Sequence, residues 1–383
     1  MEDTNIRSKL EYICNQFRIP GELILYRWIP SGHINTAYYV ALYDGREVRQ
    51  YIAQMVNQYV FKDPVAVMCN IDLVTGFIME SEPTLERRRR LHFHHTEKGN
   101  NYLYINDNGE SEFWRLYNYI ENSKSFESFG GNKDILRKSG KAFGKFLRQL
   151  RDFDAEKLTE SIPHFHDTRF RIGTFEQSIA EDPLGRAEGV RDDINFVLNN
   201  RDFACTLCRQ IDDGKLPVRV THNDTKTNNI LFDKDTLEPL VIIDLDTCMP
   251  GIAAYDFGDA VRSSACTTEE DEKNTDLVKL DMGFFEEYSR GYLSETAGFL
   301  TEEEVDSLVT GVAVIAYELG MRFLGDYISG DQYFRIDYPE HNLVRARAQL
   351  ALHRDVMKKL PELRERIRRI YLEEKENFFR NQV

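Results

Sequence analysis

Val220-Thr221-His222-Asn223-Asp224-Thr225-Lys226-Thr227-Asn228-Asn229-Ile230-Leu231 sets a His two residues before an Asp and an Asn five residues after it, between two apolar runs. The flanking runs predict one strand entering the loop and another leaving it. Further on, Pro239-Leu240-Val241-Ile242-Ile243 ends in Asp244, the pattern of a buried strand closing on a carboxylate. A base and two metal ligands on adjacent hairpin ends are what phosphoryl transfer needs, because that chemistry is mostly positioning and charge neutralisation. Asp224 is the candidate base for an attacking hydroxyl. Asn229 and Asp244 are the candidate Mg²⁺ ligands, offering the oxygen donors that a hard cation prefers. The plain alternative for Asp224 is an exposed loop carboxylate, and its spacing to His222, Asn229 and Asp244 weighs against that.

The chain upstream of this loop has mixed character. Met1 to Phe17 predicts a short helix. Leu23–Trp28, Ala37–Tyr43 and Glu47–Val56 read as strands, with Asp44-Gly45 as a hairpin turn. Asp63 and Pro64 open a helix that runs to about Ile78. Strands at Leu91–Thr96, Tyr102–Asn106 and Glu112–Ile120 complete a small lobe. After Asn122 helices dominate, at Lys133–Phe153, Ile172–Ala180, Ala187–Gln210, Thr301–Ile328, Glu340–Lys359 and Pro361–Arg380. The expectation is an α+β, bilobal chain: a small β-rich N-terminal lobe over residues 1–121 and a larger, mainly helical C-terminal lobe over 122–383.

A length of 383 residues fits two domains or one domain with lobes. The net charge of −15 argues against nucleic acid as a partner. It is compatible with a cationic substrate, and such a balance more often serves solubility alone. Cys205 and Cys208 form a lone CxxC without a second pair, so the six cysteines read as reduced thiols. The N-terminus is polar and no stretch approaches the length of a membrane span, which points to a cytoplasmic protein with no membrane partner.

Gly32-His33-Ile34-Asn35, His222-Asn223-Asp224-Thr225-Lys226 and Asp244-Leu245-Asp246-Thr247-Cys248-Met249-Pro250-Gly251, in this lobe order, carry a resemblance. From about Ile24 to about Tyr333 the chain resembles the aminoglycoside phosphotransferase and choline kinase branch of the protein-kinase-like superfamily. Within that branch it looks most like the N-acetylhexosamine 1-kinases. The resemblance implies a protein-kinase-like fold, ATP and Mg²⁺ as cofactors, and a small-molecule sugar as substrate. It gives Asp224 the role of base and His222 that of a structural anchor bonded to nearby backbone. Ser31, Gly32 and Thr36 lie in the place of the nucleotide flap, although one Gly is not a Gly-rich fingerprint. His33 becomes a substrate contact, or else an exposed loop His. Asn118 and Ile120 fall at the lobe junction, where backbone groups would meet the adenine edge. Arg322 and Tyr333 would bind sugar hydroxyls and an acetamido group; the other reading of Arg322 is an ion pair with Asp326.

Two features depart from the pattern. The third strand lacks the Lys that holds phosphates, leaving Gln54 as its one polar candidate, and the helix after it lacks the partner Glu. Asp256-Phe257-Gly258 spells a kinase metal triplet, yet Asp244 ends the apolar strand; Asp256 resembles the later Asp of the aminoglycoside branch, which implies support of the loop from a helix start, with metal contact as the other reading. Asp246 either assists the metal through water or is a solvated turn carboxylate. Arg87–Arg90 reads as a solvated connection. The alternatives to a sugar kinase are a kinase of an aminoglycoside or amino alcohol, and a non-catalytic pseudokinase that binds ligand without turnover.

Overall fold

The computed structural model describes residues 2–30, 34–107, 110–127 and 130–380. Helix α1 (Glu2–Gln16) leads into strands β1 (Glu22–Ile29), β2 (Thr36–Tyr43) and β3 (Val48–Met55), then helix α2 (Pro64–Ser81), β4 (Leu103–Asp107) and β5 (Glu110–Asn118). The strands form one antiparallel sheet in the order β1-β2-β3-β5-β4. Side chains alternate across a strand, so β5 serves two layers. Trp114 and Leu116 pack with Leu10, Ile13 and Cys14 of α1 and with Phe17 just after it. Phe113 joins Val67, Met68, Ile71 and Val74 of α2 in the main core.

The rest is a short strand β6 (Ser123–Lys124), helices α3 (Lys133–Gln149), α4 (Thr168–Glu181), α5 (Arg191–Ala204) and α6 (Thr206–Asp212), strands β7 (Arg219–Thr221), β8 (Ile230–Asp233), β9 (Pro239–Ile242) and β10 (Met249–Gly251), and helices α7 (Ala253–Ser264), α8 (Met282–Thr296), α9 (Glu302–Ile328) and α10 (His341–Arg380). β7 pairs with β10, and β8 lies between β6 and β9. The architecture is α+β and bilobal, with an antiparallel sheet in the N-terminal part and helices after it.

Several expected elements change on folding. Leu91–Thr96 is not a strand; it touches the sheet through one bridge, Phe93 to Tyr117. The Asn118 side chain supplants the ladder there, its carbonyl accepting from His92 N at 2.7 Å and its amide donating to Arg90 O at 3.2 Å. The helix expected over Ala187–Gln210 breaks at Cys205 into α5 and α6. The two helices expected around Pro361 are one, α10. Pro removes a single N–H bond, and the buried row Leu360, Leu363, Ile367 and Ile370 holds the helix to the core.

Two helices are in fact apolar enough over 18 residues to count as membrane-span candidates by length and composition, Pro64–Ser81 and Glu302–Ser329. The second is 89% buried inside the fold, so its apolar character is that of a core helix. Nor is the Arg87–Arg90 run simply solvated. Arg88 donates to Glu121 O, Asn122 O and the Asp233 carboxylate, fastening the link between sheet and helices to the β8–β9 hairpin.

α9 is the central support. Thr301 and Glu304 close a capping box at its start, and Glu304 also takes both Arg219 Nε at 2.5 Å and Nη2 at 3.0 Å, joining α9 to β7. Further along, α9 meets α7 where Gly258 faces Gly311, and a Cβ on Gly311 would lie 2.0 Å from Ala254 O. Thr301→Ala is expected to lower unfolding free energy by about 1 kcal/mol; a denaturant titration with an unshifted midpoint would exclude that capping contribution.

Candidate active site

β7 delivers the chain into the loop at His222, and α7 receives it. The buried Asp256 carboxylate, in the first turn of α7, accepts from His222 N at 2.8 Å and Asn223 N at 2.7 Å. Burial pushes its carboxyl up to about 6, with His222 and these two N–H groups opposing the shift. Below it, Asp259 accepts from Thr225 N at 2.9 Å and is itself paired with buried Arg262 at 2.8 Å. The triplet Asp256-Phe257-Gly258 is thus spent on holding the loop.

His222 is fully buried. Its Nε2 lies 3.0 Å from Ile243 O, and its Nδ1 accepts from Asp224 N at 3.3 Å. One tautomer satisfies both, with the proton on Nε2. Phe143 and Phe146 close on the ring at 5.7 and 5.9 Å. The imidazole therefore ties the loop to the end of β9, one residue before Asp244.

Asp224 is half-buried, with Lys226 Nζ 3.0 Å from one carboxylate oxygen and Asn229 Nδ2 3.0 Å from the other. The Asp224 charge, first among the neighbours, raises the Lys226 ammonium above its ordinary value. Asn229 also donates to Asp224 O at 2.9 Å, and Ile243 N donates to Asn229 O at 2.9 Å, so Asn229 and Asp244 stand on neighbouring strand ends. Asp244 itself adopts a left-handed backbone, φ 62°, and begins the 3-10 turn Leu245–Thr247. The residue as a whole is exposed. Its carboxyl is nonetheless raised above the usual range, by crowding from protein first and then by the Asp246 and Asp224 charges. Among the described residues no three His, Cys, Asp or Glu side chains gather as a metal cluster. The oxygen pair Asn229 and Asp244 fits Mg²⁺ that takes its remaining ligands from phosphate and water.

Asp246 is neither solvated nor free to act through water. It is 3% exposed, paired with Arg115 on β5 and accepting from Asn35 Nδ2 at 2.7 Å. Arg115 is the cation that sequence reasoning missed. It sits opposite Gln54 across β3 and β5, and donates to Gln54 Oε1 from Nε at 3.0 Å and Nη2 at 2.7 Å. The Gln54 carbonyl is therefore taken up internally rather than offered to phosphate. Lys226 and Asn35 were also passed over, though both lie inside the quoted motifs.

At the lobe junction Asn118 N donates to His92 O at 3.2 Å, and its side chain braces residues 90–92. Ile120 is buried, its carbonyl accepting from Ser123 Oγ at 2.6 Å. Thr36 is the first residue of β2. Ser31, Gly32 and His33 lie outside the described residues.

Arg322 and Tyr333 come together away from the loop. The Arg322 guanidinium lies over the rings of Phe165, Tyr333 and Phe334 at 5.6, 5.7 and 5.4 Å. It does not pair with Asp326, whose carboxylate instead accepts from the backbone of Gln332, Tyr333 and Phe334 and from Asn342. Phe165 also lines a groove of about 240 Å³, together with His166, Asn223, Pro250, Gly251 and Tyr255. No bond joins Arg322 to Asp224 among the described contacts; the groove has a neighbour of each in its lining, Phe165 and Asn223.

The phosphotransferase enzyme family model matches residues 86–300, more than half the chain. Similar solved structures include a microcompartment-associated aminopropanol kinase, 15% identical, covering 92% of this chain and 98% of that one with a TM-score of 0.58. An amicoumacin kinase in complex with AMP-PNP and Ca²⁺ is 13% identical, with 94% and 96% covered and a TM-score of 0.57. A choline kinase from Cryptosporidium parvum Iowa II is 12% identical, with 93% and 96% covered and a TM-score of 0.55. At such identities the likeness is one of fold, and with the family match across the catalytic loop it is decisive: the chain belongs to the APH phosphotransferase enzyme family and has its kinase-like fold.

Proposed function

We propose that this phosphotransferase is an ATP- and Mg²⁺-dependent kinase that phosphorylates the anomeric hydroxyl of an N-acetylhexosamine, N-acetylglucosamine or N-acetylgalactosamine, to the sugar 1-phosphate. Residues 1–121 serve as the nucleotide lobe and 122–383 as the acceptor lobe. Asp224 takes the proton of the anomeric hydroxyl as its oxygen attacks the γ-phosphorus, the bond to the ADP oxygen breaks, and ADP leaves. Lys226 pairs with the Asp224 carboxylate beside the attacking oxygen. Asn229 and Asp244 hold the metal, which neutralises charge on the phosphates.

The observation that carries the acceptor assignment is the chemistry around Arg322. Among the described residues its guanidinium has aromatic neighbours and no carboxylate in salt-bridge contact, buried Glu318 acting on it from further off, and Arg171, whose Nε donates to Phe165 O at 3.1 Å, stands beside it. The groove's own carboxylates are engaged. Asp167 caps α4, and Glu160 accepts from His164 N at 3.0 Å. Two guanidinium groups repel an amine and suit a neutral ring with hydroxyl and acetamido oxygens.

The test is ADP release from ATP with a panel of N-acetylhexosamines, hexoses, aminoglycosides and amino alcohols. Turnover with an N-acetylhexosamine, and an Arg322→Met variant whose acceptor KM rises about tenfold or more, are the expected results. Turnover confined to amines would move the acceptor to that class, and magnesium-dependent ATP binding without turnover on any member would leave a pseudokinase.

A further inference from the structure

The strand lysine that helps order a kinase active site is missing, and the one glutamate of α2, Glu80, lies in its last turn with no bond to β3 among the described contacts, yet the segment bearing Asp244 is firmly held. Arg115 is 2% exposed, and a buried charge persists only when paired and hydrogen-bonded. All three guanidinium nitrogens are engaged, Nε and Nη2 by Gln54 and Nη1 by Asp246 and by Met68 Sδ of α2 at 3.7 Å. The second Asp246 oxygen accepts from Asn35 Nδ2, and Asn35 Oδ1 accepts from Asn57 N at 2.9 Å. Asn35 immediately precedes β2, and Asn57 follows β3. The contacts thus run from the base of the flap, through the sheet, into the 3-10 turn that Asp244 begins. From α2, Asn70 adds a bond to Cys248 O at 3.0 Å just past that turn.

We propose that Arg115, Asp246 and Asn35 form a buried clamp that replaces the absent lysine–glutamate pair, with the cation moved to β5 and the anion moved onto the metal-bearing segment. Arg115 and Asp246 are positioning residues: they touch neither phosphate nor acceptor, and they set the direction in which Asp244 presents its carboxylate. The helix contribution passes to the neutral amide of Asn70. Closure of the sheet over the helices and alignment of the metal ligand become one event, because Asp246 is held by side chains of the sheet.

This inference rests on the kinase reading above. Its test is calorimetric titration of the full chain with AMP-PNP across a series of Mg²⁺ concentrations, without acceptor. Asp246→Asn keeps the shape and loses the charge; Arg115→Lys keeps the charge and loses the fork. Both should raise the Mg²⁺ concentration for half-maximal nucleotide affinity by about tenfold, with metal-free nucleotide affinity unchanged. Asn35→Ser removes only the outer arm and should shift the same quantity in the same direction, so it carries the test if the other two fail to fold. Variants that melt like the wild type and show its Mg²⁺ dependence would overturn the clamp, as would an equal loss with and without Mg²⁺, which marks a merely structural role. A wild-type chain that binds no Mg²⁺–nucleotide would instead overturn the kinase reading, and the clamp with it.

Discussion

Asp224→Asn is expected to lower turnover by about 10²- to 10⁴-fold while leaving the melting curve in place. The amide retains the size of the carboxylate and a carbonyl facing Asn229, so the bond now 3.0 Å long can persist. What disappears is the capacity to accept a proton and the ion pair with Lys226 Nζ at 3.0 Å. Substrate binding should change little, because the hydroxyl needs the base only as it becomes a nucleophile. Steady-state ADP release beside thermal unfolding separates the two effects. Near-native turnover would remove Asp224 from the role of base.

The second large effect is on stability. Gly311→Ala should cost about 3 kcal/mol, because the new Cβ would lie 2.0 Å from Ala254 O and 2.8 Å from Ala254 C. Both are backbone atoms, so no side chain can swing aside and α7 must move away from α9. Asp256 rides on α7 and holds the amides of His222 and Asn223, so activity should fall together with the melting temperature. Gly76→Ala is the control: it lies within α2 with nothing within 4 Å of the added Cβ, and helix propensity favours Ala there by about 1 kcal/mol. Equal melting temperatures for the two variants would contradict the close-crossing account.

What the sequence disclosed and what it withheld follow from range. Asp224, Asn229 and Asp244 could be placed on hairpin ends because each stands a few residues from an apolar strand whose pattern is local. The Asp63 cap and the Thr301 start of α9 are local in the same way. The Arg115–Asp246 pair spans 131 residues and the Arg115–Gln54 contact 61. Their meeting depends on the register of β3 with β5 and on how the sheet sits over the helices, neither of which has a one-dimensional signature. The bracing of Arg90 and His92 by the Asn118 side chain was hidden for a related reason, since it joins segments 26 and 28 residues apart. Arg322 and Asp326 have helical spacing for an ion pair, and the backbone turn at Gln332–Phe334 claims the carboxylate first.

The left-handed backbone at Asn223 and Asp244, φ 63° and 62°, limits which sequences could carry this loop. A β-branched or bulky side chain pays a steric penalty there, while Gly, Asn and Asp do not, or do so least. At position 244 the proposed metal role would narrow that alphabet to Asp. At position 223 the side chain adds a second constraint: Asn223 is buried and its Nδ2 donates to Thr247 O at 2.8 Å, so Gly or Asp would suit the backbone and lose that bond. Position 223 is thus set twice, once by backbone shape and once by a tie to the 3-10 turn that Asp244 begins.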